Sequence, residues 1–235
     1  MNAATVRRHD YTPNIDNGDY RLGFSSDNYP FITAFVGHTA SGKNRVSDAF
    51  LSQMMEKGSP VIGVINHKDR SSRIGEIPGV DYHPIDSAEH YLRLINEGRI
   101  VVPYGHGTRM YGLSRDFLTA LEQGRVPVMM TDAQGLFGLL NYASSQQLQN
   151  RVLSFMLHTT QKDATARLYE RAGQNLTAEQ LDELNSLVRG LQDEIELYRE
   201  KEGIFRHVLS NPTVAGVSWI EGASHTARRA FDITS

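Results

Sequence analysis

The chain has 235 residues, 40% hydrophobic and 22% charged, with a formal net charge of −3, enough for one α/β domain with a full core or a core plus a smaller mobile part. It has no cysteine, which excludes disulfides, thiolate metal sites and cysteine nucleophiles. The charge balance gives no footing for duplex nucleic acid, and no apolar run approaches the ~18 residues of a membrane span.

Residues 1–28 are rich in Pro, Asn, Asp and Gly and lack hydrophobic periodicity, so they are expected to form an N-terminal extension. Met1–Tyr20 has no apolar leader core, and a soluble cytoplasmic protein is expected. Phe31–Val36 is a short apolar run suited to a buried parallel strand. A glycine-containing loop and a helix over Lys43–Lys57 follow. Val61–Ile65 reads as a strand, Asp81–Ile85 as extended, Ala88–Asn96 as a helix and Arg99–Tyr104 as extended. Ser114–Gln123 reads as a helix with Ser114 as N-cap. Val126–Met130 is a predicted strand, Gln134–Gln147 a helix and Val152–Leu157 a strand. Gln161–Ala172 and Thr177–Glu200 are charged helices, Ile204–Leu209 a late strand and Ser224–Phe231 a closing helix; Trp219 is taken as core. Strands alternating with helices imply an α/β fold with a mostly parallel sheet covered on both faces.

The strongest chemical signal is Gly37-His38-Thr39-Ala40-Ser41-Gly42-Lys43-Asn44. It has the spacing G-x-x-x-x-G-K and lies between a predicted strand and a predicted helix. Glycines let successive N–H groups turn toward phosphate oxygens, the helix N-terminus adds partial positive charge, and Lys43 adds a full one. The pattern points to ATP. The usual last residue is Ser or Thr, whose hydroxyl holds Mg²⁺; here Asn44 stands there, and its amide oxygen is the candidate metal ligand. His38 sits inside the loop, where simple exposure is the plainer account and phosphate contact the alternative.

A second constellation is Arg70-Ser-Ser-Arg73-Ile-Gly-Glu-Ile-Pro-Gly-Val-Asp81-Tyr82, followed by Tyr111-Gly112. Two arginines and two tyrosine hydroxyls can converge on one phosphate dianion. A solvated arginine pair beside core tyrosines is the competing account. The nine histidines show no metal-ligand spacing.

Residues from about 31 to 232 resemble guanylate kinase segment by segment. Gly37–Lys43 looks like that family's ATP loop, and the Arg70–Tyr82 stretch like its R-x-x-R-x-G-E-x-x-G-x-D-Y acceptor motif. Glu97-Gly98-Arg99 through Met110-Tyr111-Gly112, Asp132-Ala133-Gln134-Gly135, and Arg167-Leu-Tyr-Glu-Arg171 with Arg189 resemble three further family segments. The resemblance implies a P-loop NTPase three-layer sandwich over 29–235, with an acceptor-binding insert at about 66–112 and a lid at about 161–200. It implies that Lys43 and the loop amides hold the donor's phosphates. Asn66, Arg70, Arg73, Tyr82 and Tyr111 would hold the acceptor, and Arg167, Arg171 and Arg189 would come in with the lid to spread charge off the transferred group. Asp132 would orient the acceptor or metal-bound water, or cap the next helix. ATP, Mg²⁺ and a nucleotide or other phosphorylated small molecule follow as co-substrate, cofactor and partner.

The family reads guanine with polar groups at positions where Val102 and Leu113 stand here, so GMP does not follow as the acceptor. The expected activity is phosphorylation of a nucleoside or deoxynucleoside monophosphate. The alternatives are a sugar phosphate, as in the related ribose 1,5-bisphosphate phosphokinase, whose acceptor turn is similar to His106–Leu113, and a catalytically weak binding module. The charged face of Thr177–Glu200 is a candidate homodimer surface, with a solvated lid the plainer reading.

Overall fold

A computed structural model of the chain describes residues 32–72, 76–106, 108–148, 151–173, 176–200, 205–211 and 219–234. The expected extension 1–28, Phe31, Arg73, Ile204 and the side chain of Trp219 lie outside the described residues.

Two sheets organise the chain. The larger has the order β2-β7-β1-β8-β9 and is built from β1 (Ile32–Val36), β2 (Val61–Val64), β7 (Val126–Thr131), β8 (Val152–His158) and β9 (His207–Ser210). β2 runs parallel to β7 and β8 parallel to β9. The apolar runs predicted these strands because a sheet covered on both faces has no polar side to alternate with. All five residues of β1 are buried.

The described chain forms two compact units. The first takes 32–34, 51–130 and 134–153. It contains the second sheet, order β4-β3-β6-β5, from β3 (His67–Lys68), β4 (His83–Pro84), β5 (Ile100–His106) and β6 (Arg109–Ser114). β5 and β6 form an antiparallel hairpin, β3 pairs antiparallel with β6 and parallel with β4. Helix α2 (Ala88–Asn96), as predicted, is capped by the Ser87 hydroxyl accepting from His90 N and packs on β5; α3 (Asp116–Glu122) packs on β2. The predicted cap of α3 shifts by one residue. Arg115 is the N-cap and uses no side chain, while Ser114 ends β6 with its hydroxyl accepting from Asp116 N at 3.2 Å. Helix α4 (Ala133–Ser145) closes this part of the chain.

The second unit takes 35–50, 131–133 and 154–235. It holds α1 (Lys43–Glu56) up to Phe50, most of β8, then α5 (Gln161–Ala172), α6 (Ala178–Glu200), β9 and α7 (Trp219–Thr234). Phe35 stacks on Phe155 and meets Phe50 edge-on, both with centroids 5.2 Å apart. Helix α6 opens with a reciprocal pair, Thr177 N donating to Gln180 Oε1 and Gln180 N to Thr177 Oγ1. It lays Leu184, Leu191 and Ile195 against Ala164 and Leu168 of α5, each large side chain contributing on the order of 2 kcal/mol of burial. Among the described residues no helix is long and apolar enough to cross a membrane.

Gly138 of α4 lies where a Cβ would collide with Val102 Cγ1 of β5. Alanine would gain about 1 kcal/mol of helix propensity, but Val102 is β-branched, 4% exposed and stiff. Overpacking of this kind costs about 1–3 kcal/mol. Gly138→Ala is therefore expected to lower the urea midpoint; a raised midpoint would show that the helix and the strand separate freely.

Candidate functional site

The loop between β1 and α1 lies wholly in the second unit. Ser41 N donates to His38 O at 3.2 Å, closing a turn, and Val46 N to Gly42 O opens the helix. Gly42 has φ +92° and Ala40 φ +59°, so the chain takes two left-handed residues to reverse; at Gly42 a side chain would be strained. Gly37 is required for a different reason. A Cβ there would stand 2.5 Å from Ser41 Oγ and 2.7 Å from Leu157 O.

This reversal sorts the peptide groups. On one side, the guanidinium of Arg167 in α5 donates to Ala40 O (3.3 Å), Ser41 O (3.2 Å) and Asn211 O (2.7 Å). Asn211 Nδ2 donates to Ser41 O at 2.8 Å, and Thr226 Oγ1 of α7 donates to Asn211 Oδ1. On the other side, Thr39 N donates to a carboxylate, Glu194 Oε1 of α6, at 3.0 Å. Lys43 Nζ reaches back to Gly37 O and to His38 O at 3.1 Å. The Thr39 amide faces an anion, the Ala40 and Ser41 carbonyls are tied behind it and Lys43 stands at the mouth, an arrangement suited to negative charge.

The expected lid arginines separate into two kinds. Arg167 is 7% exposed and gripped by three carbonyls, so it buttresses the loop instead of riding a mobile lid; burial lowers its pKa from the usual arginine value. Arg171 and Arg189 are exposed on α5 and α6. Asn44, the second residue of α1, is exposed, and Asp132 is half-buried just after β7. The next amide, Ala133 N, donates to Tyr198 Oη of α6 at 2.8 Å.

His38 overturns the expectation of exposure, since it is 0% exposed. Its Nδ1 lies 2.8 Å from Thr39 O, and its Nε2 lies 3.4 Å from Thr159 N. Nε2 also lies 3.3 Å from Thr159 O, so the ring is held between the Thr39 and Thr159 backbone groups. Burial, with smaller contributions from nearby groups including Lys43, lowers its pKa to about 4. The ring is thus a neutral brace under the loop.

Of the residues expected to bind the acceptor, the described ones lie in the first unit. Arg70 forms a two-pronged pair with Glu76 (2.7 and 2.6 Å) and lies over the Tyr82 ring. Tyr82 is 2% exposed, and its hydroxyl bonds Ser72 Oγ at 2.5 Å. Tyr111 stacks on Tyr104 at 5.5 Å, and Tyr91 Oη donates to Tyr111 O. Asn66 is 5% exposed and bridges strands, donating to Met130 O and accepting from Ser114 N. Val102 and Leu113 face each other across β5 and β6 at 4% and 0% exposure. Asn66, Val102 and Leu113, expected at the acceptor site, are all buried; Val102 and Leu113 pair across the β5–β6 hairpin, and Asn66 lies just before β3. Beside them His67 (2% exposed) lies 4.7 Å from the His83 ring, and His83 Nε2 is 3.2 Å from Asp116 Oδ2. Burial lowers His67 to about 4 as well, helped by His83 and Arg99.

A buried strand, a glycine-containing reversal and a helix opened by Lys43 make the local arrangement of a P-loop fold. The particular fold is guanylate-kinase-like. A guanylate kinase of Anaplasma phagocytophilum matches with a TM-score of 0.56 at 19% identity, over 88% of this chain and 85% of that one. A shikimate kinase of Bacteroides thetaiotaomicron matches with a TM-score of 0.43 at 12% identity, over 86% of this chain and 98% of that one. In sequence, a guanylate kinase of Bdellovibrio bacteriovorus is 34% identical over 89 residues, 37% of this chain. The chain spans about half the length of that relative, 48%. No protein-family model matches.

Two buried neutral histidines give the fold a pH signature. Unfolded, each ring protonates near 6.5; folded, near 4. The unfolded state thus binds more protons in that window, and stability is lost as pH falls from about 6.5 to 4, by up to about 3 kcal/mol for each ring. Urea unfolding at pH 7 and pH 4.5 measures this; equal stabilities would contradict the burial.

Proposed function

We propose that the chain is an ATP-dependent phosphotransferase that moves the γ-phosphoryl group of ATP onto a phosphomonoester, a nucleoside or deoxynucleoside monophosphate, giving ADP and the nucleoside diphosphate. The observation that carries this reading is the loop. The Thr39 amide and the Lys43 ammonium would serve a polyphosphate, with Arg167 and Asn211 holding the Ala40 and Ser41 carbonyls away. The name of the Bdellovibrio bacteriovorus relative supports it.

Lys43 and the loop amides would hold the β- and γ-phosphates, and Arg171 and Arg189 would approach the transferred group. Phosphoryl transfer asks a protein mainly to position reactants and offset charge. Mg²⁺ fits the oxygen donors that this unit offers, the Asn44 amide and the Asp132 carboxylate, both suited to a hard cation. Among the described residues no group of three His, Asp or Glu side chains forms a ready metal cage. The nucleotide's own phosphates would therefore supply much of the coordination, and the metal would offset their charge.

For the acceptor, Arg73 with the Tyr82 and Tyr111 hydroxyls would grip the phosphate, since Arg70 is matched by Glu76. Val102 and Leu113 stand where the family that the sequence resembles has polar groups that read guanine, and both are buried here; with no base reader at these positions, a sugar phosphate, in which no base is read, is the second acceptor class. A coupled assay over the common nucleoside monophosphates and ribose 1,5-bisphosphate separates the two.

Lys43→Ala should lower kcat/KM about 1,000-fold, and unchanged turnover would end the kinase reading. Arg73→Ala should raise the acceptor KM about tenfold with kcat little altered; an unaltered KM would place the phosphate clamp elsewhere.

A further inference from the structure

Glu194 is a carboxylate on an amide that the proposed function assigns to a phosphate. It projects from a packed part of α6: Leu191 and Ile195 beside it are 0% and 2% exposed, and Tyr198, one turn on, is 1% exposed with its hydroxyl on Ala133 N. The same helix buries against α5, and Ala40 of the loop packs against that cluster. Glu194 is therefore delivered to Thr39 N by a fixed scaffold, not by a swinging side chain on an exposed helix. Other acidic residues nearby, Asp193 and Glu196, are exposed.

We propose that Glu194 is a built-in occupant of the phosphate loop, holding the Thr39 amide in the ligand-free protein and yielding it when a polyphosphate enters. The inference rests on the loop being a nucleotide site. Its physical basis is direct: two anions cannot share one N–H, and a fixed carboxylate beside an incoming polyphosphate repels it. The amide is also not left unsatisfied when the site is empty, which would cost stability. Entry of the ligand then releases Glu194 and loosens one of the ties between α6 and the loop. Phosphate binding and the position of the helix carrying Arg189 become linked, because the ligand is favoured only in the state where Glu194 has let go.

Calorimetric titration of the full chain with ATP, and separately with inorganic tripolyphosphate, tests this. Glu194→Gln should bind both about tenfold more tightly than wild type, while Asp193→Asn, which makes the same change in net charge, should bind as wild type does. Unchanged or weaker binding by Glu194→Gln, or equal tightening in both variants, overturns the proposal. Hydrogen exchange of the free proteins gives a second readout: the Thr39 amide should exchange faster in Glu194→Ala than in wild type, and equal rates would overturn it. If none of the proteins binds either ligand, the nucleotide reading fails and takes this inference with it. If wild type binds and Glu194→Gln matches it, only this inference fails.

Discussion

The structure depends on a sorting of backbone groups at one tight reversal. Between β1 and α1 the carbonyls of Ala40 and Ser41 are bound by Arg167 and by the Asn211 side chain, and the amide of Thr39 is left for an anion. A buried guanidinium is costly unless its donors are used. Here the two terminal nitrogens donate to three carbonyl oxygens, and through those bonds α5, β9's continuation at Asn211 and, via Thr226, α7 all brace the same few residues. Catalytic electrostatics of the phosphate-holding kind need donors that are aimed before the ligand arrives. Bracing the carbonyl side is how this chain aims the amide side.

The same logic explains His38. A ring wedged between the Thr39 carbonyl and the Thr159 amide fixes the loop's first turn, and it works only while neutral. The cost appears as sensitivity to acid. In the first unit, polar groups are likewise paired internally: Arg70 with Glu76, Tyr82 with Ser72, Asn66 between two strands. Such pairing satisfies these polar groups within the protein itself.

Much of this was legible in the sequence, and the limits have physical causes. The apolar runs gave the strands of the parallel sheet, and helical periodicity gave α2 and α5 at Ala88–Asn96 and Gln161–Ala172, although the Ser87 and Thr160 caps that open them were not singled out. β3 is two residues long and β6 has the composition of a turn, Arg-Met-Tyr-Gly-Leu-Ser, so neither carries a period of its own. The loop was evident from spacing alone. What braces it was not, because Arg167 acts on backbone carbonyls 126 and 127 residues away, and a sequence shows no carbonyl as special. Glu194 was hidden for a related reason: α6 is dense with acids, and nothing local separates this one from Asp193 or Glu196. The apolar stripe Leu184, Leu191, Ile195, Tyr198 was the available signal that α6 packs closely, though its charge suggested a solvated lid.

The central claim is that this reversal offers aimed amides to a polyphosphate. Backbone amide spectra of the isotope-labelled chain during titration with ATP test it most directly. The account predicts saturable shifts concentrated in residues 38–44, with the β5–β6 hairpin little changed. Spectra in which 38–44 stay still while ATP shifts other regions, or no region at all, would contradict it.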